Sequence, residues 1–459
     1  MDISPGASGY RYRGEGPVTK TNLGRLTNSI FVFTLLYLFK NIQIPTYGEA
    51  ETPGYLATYF TRITPEALNF VNAFLVVGIL WILAFHIIHL MSRVDHKTLF
   101  IHFSMLMTLV FIPVSSMIAD DFPGQPLCSF ILHTNILFTS LLLLLEWRHI
   151  TSSGIIVSGV GETEIRATWR RLLFLTAAAS LGCILTIQGE NGTRFLYIIV
   201  MITLFGDSVI TDWRSYQNRA KRTSADPPPP VPISQVSSYR GPVGQDMLEI
   251  MINGVFGFSM TLIVKNIPLP AAADIQNIDL ILEFVIRVLS DGVEFIFAFI
   301  ILAILWSLTF ELMRWMKAVD LTFVSIELFG LLALVFIPVT SILHSYFGDD
   351  STISILLGLN IIICSVILLI QWYYISIQNE IRATDCAESS AGVKRTIMEG
   401  RQVSSIRWGS QYPFIRIRNR ILILPIVTLF WLGANLFYAR IEIFPALIGV
   451  LFFIAKSRE

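Results

Sequence analysis

Residues 109–116 read LVFIPVSS, and residues 334–341 read LVFIPVTS. The phrase sits in apolar sequence both times, 225 positions apart, and the same offset extends outward in both directions. Asn28 matches Asn253, Phe31 matches Phe256 and Phe33 matches Phe258, and KNI recurs at Lys40 and Lys265. Arg62 pairs with Arg287, Trp81 with Trp306, Asp95 with Asp320, and Trp147 with Trp372. Random apolar stretches share Leu and Ile, but they do not hold Trp, Asn, Lys and Pro at fixed places. Beyond Trp147 the copies slip, although EIRAT appears at both Glu164 and Glu380.

The solvent follows from composition. Of 459 residues, 54% are hydrophobic and 14% charged, too little polar surface for a water-soluble protein of this length. Apolar segments of spanning length fall near 27–45, 70–92, 98–118, 127–147, 171–188 and 194–213. A second set falls near 252–270, 293–317, 320–342, 351–376, 420–438 and 442–455. These predict an all-α polytopic membrane protein of two tandem repeats, each with six transmembrane helices. Six is even, so the repeats run parallel.

The expected organisation is a cytosolic tail over 1–24 and a first repeat over 25–213. A Pro-rich cytosolic linker over 214–246 contains SADPPPPVP, an extended spacer that cannot span. The second repeat covers 247–455, with a cytosolic loop over 379–419 and a short tail at 456–459. Most of the 33 Lys and Arg then fall on one side, which makes both termini cytosolic. NGT at Asn191 is a glycosylation candidate on the opposite side. The four cysteines have no metal-type spacing, and there is no phosphate loop or nucleophile elbow. No enzyme activity, cofactor, metal or nucleic-acid partner is expected.

The first span of each repeat carries the unusual composition: NSIFVFTLLYLFKNIQIP from Asn28 and NGVFGFSMTLIVKNIPLP from Asn253. On a helix, positions 28, 32, 35, 36 and 39 share a face, as do 253, 257, 260, 261 and 264. A face mixing Asn, Gly and Thr with aliphatics suits either close helix packing or a sparsely polar pore. Elsewhere, His86 and His89 match Glu311 and Arg314, and His102 matches Glu327, in positions costly for ionisable groups.

NGVFGFSMTLIVKNIPLP resembles the first helix of the transmembrane protein 175 family of endolysosomal and prokaryotic cation channels. AFLVVGILW and AFIILAILW resemble its second helix, and FIPVSS and FIPVTS a phrase of its third. Two repeats match the animal members, which assemble as dimers. The resemblance implies a homodimer in an endosomal or lysosomal bilayer, passing potassium ions and protons through a pore lined by the first helices. It places a hydrophobic constriction at Phe33 and Phe258. Asn28, Val32, Leu36, Tyr37, Asn253, Gly257, Thr261 and Leu262 are then expected along the pore. Asn28 and Asn253 stand where the family motif carries Asp, and Asn22 and Met247 where it carries Arg. A secondary transporter and a non-conducting scaffold descended from a channel are the competing readings.

Overall fold

A computed structural model describes residues 18–39, 42–45, 49, 52, 54–122, 125–189, 196–204, 206, 242–265, 278–316, 319–347, 350–394 and 412–437. Of the expected linker over 214–246, only 242–246 is described and is helical; the expected loop over 379–419 is helical at 379–394 and 412–419, with 395–411 outside the described residues, as are the last span over 442–455 and Asn191. The first repeat runs through α1 (Lys20–Leu38), α2 (Tyr55–Leu90), α3 (His96–Val110), α4 (Ile112–Asp121), α5 (Pro126–Ser152) and α6 (Glu162–Ile187). A further helical stretch covers 196–204. The second runs through α7 (Pro242–Lys265), α8 (Ile278–Met313), α9 (Leu321–Phe347), α10 (Ser351–Lys394) and α11 (Tyr412–Phe437). Among the described residues there is no β-strand beyond an isolated bridge between Met91 and Ile156.

Seven helical segments among the described residues are long and apolar enough to cross a bilayer: α2, α3 with α4, α5, α6, Ile296–Met313, α9 and Ser351–Ile377. The protein is therefore an integral, multi-pass membrane protein. α2 and α8 each have 36 residues, about 54 Å of helix, longer than the roughly 30 Å hydrocarbon core. The apolar window of α2 is 94% buried and that of α8 only 56%. A helix that is apolar all round and yet enclosed packs at the centre of the molecule.

Equivalent side chains make equivalent bonds. Asp95 caps α3 by accepting from the Thr98 amide at 2.7 Å, and Asp320 caps α9 by accepting from the Phe323 amide at 2.8 Å. The second carboxylate oxygen of each is held from the fourth span, by His149 Nε2 at 2.9 Å and by the Tyr374 hydroxyl at 2.6 Å. Trp81 Nε1 donates to Asn28 Oδ1 at 2.8 Å, and Trp306 Nε1 donates to Asn253 Oδ1 at 2.9 Å. The repeat is thus a repeat of polar locks as well as of sequence.

Two sequence matches separate in three dimensions. Pro113 lies just after a break at Phe111 that divides α3 from α4, whereas Pro338 lies inside the unbroken α9. Glu164 of the first EIRAT sits in the opening turn of α6, but Glu380 lies in the C-terminal half of α10. The true counterpart is seen in the contacts. His86 meets Thr168 at 2.9 Å and Glu164 at 3.2 Å on α6, and its match Glu311 meets Arg420 at 2.8 Å on α11.

Candidate functional site

The two first helices, α1 and α7, lie side by side. Gly254 permits this approach, since a Cβ there would stand 2.6 Å from Val32 Cγ1, and Gly24 likewise accommodates Met247. Asn28 Nδ2 donates to the Met247 carbonyl while its Oδ1 holds Trp81, so one amide ties α1 to both α7 and α2. Phe39 meets Phe258 edge-on at 5.9 Å. At the polar end Arg25 reaches Asp246 at 3.4 Å, an exposed pair that contributes little. Lys20 Nζ donates to the His89 and Met91 carbonyls at 2.6 and 3.0 Å, where a cation suits a helix C-terminus. Burial there lowers its pKa to about 8.

Behind α1 runs a buried polar chain. The Thr27 hydroxyl donates to the Leu23 carbonyl at 2.7 Å and lies 2.8 Å from His102 Nε2. With that hydroxyl proton committed, Nε2 is the donor, and Nδ1 faces Glu146 at 2.9 Å. His102 and Glu146 are both fully buried. In the second repeat, Gln371 Nε2 donates to Glu327 at 2.6 Å in the same place.

Which face of the first helices stays open is read by comparing equivalent positions. Asn28 and Val32 are buried while Asn253 and Gly257 are exposed; Leu26 and Tyr37 are exposed while Met251 and Leu262 are buried. Between residues 25 and 37, four equivalent pairs are exposed or half-exposed in both copies: Arg25 with Ile250, Ser29 with Gly254, Phe33 with Phe258, and Leu36 with Thr261. Steps of four, four and three put them on one stripe of each helix. Phe33 is 71% exposed.

Of the expected residues, Phe33, Phe258, Leu36 and Thr261 share that stripe. Tyr37, Asn253 and Gly257 are open in one repeat only. Three expected lining residues do not reach the open face: Asn28 is held by Trp81 and Met247, Val32 packs against Gly254, and Leu262 is buried. Ser29 and Gly254 belong to the stripe although sequence reading passed over them. Their signal was a position four residues before each Phe, obscured because Ser and Gly suit packing and pore equally.

The fold and the matched locks define a duplicated, all-helical membrane protein whose two halves bring their first helices together. A family model described as the endosomal/lysosomal potassium channel TMEM175 matches residues 22–113 and again 247–338, two segments in the same register as the internal repeat. The two matched segments are similar to this family, one in each repeat. Among solved structures, the crystal structure of a lysosomal potassium-selective channel TMEM175 homologue from Chamaesiphon minutus is similar. It matches with a TM-score of 0.34 and 17% identity over 40% of this chain and 97% of that one. No curated protein matches.

Proposed function

We propose that the protein is a cation channel, with potassium as its main permeant and protons as a second, formed by two copies of the chain in an endosomal or lysosomal membrane with both termini cytosolic. The α1 and α7 helices of both copies surround the axis, four helices in all. Phe33 and Phe258 constrict the path by dewetting it. The single observation that carries this reading is the stripe through positions 25, 29, 33 and 36 and its match at 250, 254, 258 and 261, exposed or half-exposed in both repeats.

The homodimer draws support from an imbalance between the repeats. Within the chain, α2 packs on α9: Gly78 lies against Leu328, and Phe70 meets Phe336 at 5.4 Å. The equivalent surfaces are more exposed. On α8, Phe299 and Trp306 are 42% and 41% exposed, where Phe74 and Trp81 are 1%. On α3 and α4, Phe103, Val110 and Val114 are exposed, where Leu328, Val335 and Val339 are buried. A second copy related by a two-fold axis sets α8 of each chain on α3 of the other, repeating the internal interface and closing a ring. The exposed Asn253 then has a carbonyl partner at Asn22 of the second copy, as Asn28 has at Met247; an amide left to lipid is costly.

A rocking carrier finds less support, because helix breaks matched between repeats are its usual hinge and the break at Phe111 has no counterpart in α9. The deciding experiment is recording from purified protein in planar bilayers. Ohmic single-channel currents carried by potassium are expected. Saturable counterflow without channel events points to a carrier, and silence from well-folded dimers to a scaffold.

A further inference from the structure

The second repeat contains a small cavity. It is lined by Glu327, Gln371, Thr309, Gly330, Cys364 and Phe256 among others, with about 20 Å³ open to the centre of a water-sized particle, room for roughly one such particle. At the equivalent positions the first repeat has His102, Glu146, Ala84, Met105, Thr139 and Phe31. Met105 is fully buried where the second repeat has Gly330, which carries no side chain. Charge differs in the same way. In the first repeat an imidazole faces a carboxylate; in the second a carboxylate faces a neutral amide.

The oxygens around the cavity are short of partners. Glu327 and Gln371 are 3% and 2% exposed. Gln371 uses its amide nitrogen on Glu327, and its Oε1 is buried with no hydrogen-bond partner. The Thr309 hydroxyl spends its proton on the Leu305 carbonyl at 3.0 Å, which leaves its lone pairs available. A buried carboxylate calls for a compensating charge. A proton on Glu327 neutralises it but leaves the cavity unfilled. A single carboxylate with neutral oxygens balances one positive charge, whereas divalent ions draw on more anionic oxygen.

We infer that the second repeat binds one dehydrated monovalent cation of sodium or potassium size between Glu327, Gln371 and Thr309, in the cavity that Gly330 opens behind α7. The site is separate from the central stripe and stands whether or not the pore conducts. Thermal unfolding of the full-length dimer is measured as sodium or potassium chloride replaces N-methylglucamine chloride at constant ionic strength. The midpoint is expected to rise by about 1–2 degrees per tenfold increase in either alkali ion. Glu327→Gln and Gly330→Met are expected to abolish that rise, while Phe33→Ala with Phe258→Ala retains it. Crystals soaked in rubidium or thallium salts are expected to show an anomalous peak between Glu327 and Gln371, an observation that needs no variant to fold. A flat response in the wild-type protein, a response kept by Glu327→Gln, or a soaked crystal with no anomalous peak overturns the inference and leaves a protonated carboxyl beside water.

Discussion

Phe33 and Phe258 occupy the same register, yet one is open and the other half-covered, with Phe39 against its ring. A phenyl ring at a narrow point removes water from the path and offers an ion no oxygen. Replacing both with Ala is expected to raise potassium current several-fold without changing dimer content, as judged by bilayer recording and size-exclusion chromatography. Unchanged current in a well-folded dimer removes them from the constriction. Asp95 gives a second prediction at this scale. Burial works against its charge, but the Thr98 amide and His149 outweigh it and hold the carboxyl at about 2. A carboxyl depressed in the folded state contributes stability above its ordinary pKa, which is lost as pH falls from about 4 to about 2. Asp95→Ala is expected to cost about 1 kcal/mol at neutral pH and to flatten the acid limb of the melting profile in that window. A limb as steep as that of the wild type means that another carboxylate governs it.

At the scale of elements, sequence identity and structural identity part company. The four-span register was legible because Trp, Asn and Asp recur at a fixed offset, whereas the bonds those residues make, the caps at Asp95 and Asp320 and the Trp–Asn pairs, came only with the structure. The fate of the shared proline phrase was not legible either. Pro113 and Pro338 lack the same backbone donor, and whether the helix breaks there depends on what packs around it. Nor did EIRAT reveal that its second copy belongs to α10, since a five-residue string carries no contact information. The interface between repeats hangs on Gly78, where a Cβ would come within 2.3 Å of Leu328. Gly78→Val is therefore expected to destabilise the bundle by about 1–3 kcal/mol through overpacking. Pairing it with Leu328→Ala is expected to recover part of that loss, and a double-mutant cycle on thermal melts reads the coupling. Strict additivity means the two helices do not bear on each other there.

For the whole molecule, one chain holds two copies of a unit but only one copy of the joint between them. The face of α2 that meets α9 is satisfied, while the matching faces of α8 and α3 are left to something else. This explains why equivalent residues of the first helices differ in exposure. Asn28 and Asn253 are identical in sequence, and only their places on either side of the joint make one buried and the other open. Lipid covers apolar side chains as readily as protein does, so Phe103 and Trp306 alone do not separate a partner from the bilayer. Register does. The contact of Gly78 with Leu328 translates, at the repeat offset, to Ala303 of one copy against Phe103 of the other. In a background without native cysteines, Phe103→Cys with Ala303→Cys is expected to form an intermolecular disulfide, giving covalent dimers on oxidation in membranes. Shifting one cysteine by two residues, to position 301 or 305, turns it toward its own buried core and is expected to abolish the cross-link. Cross-linking that is indifferent to that shift, or that ladders into higher oligomers, rules out a closed two-fold ring.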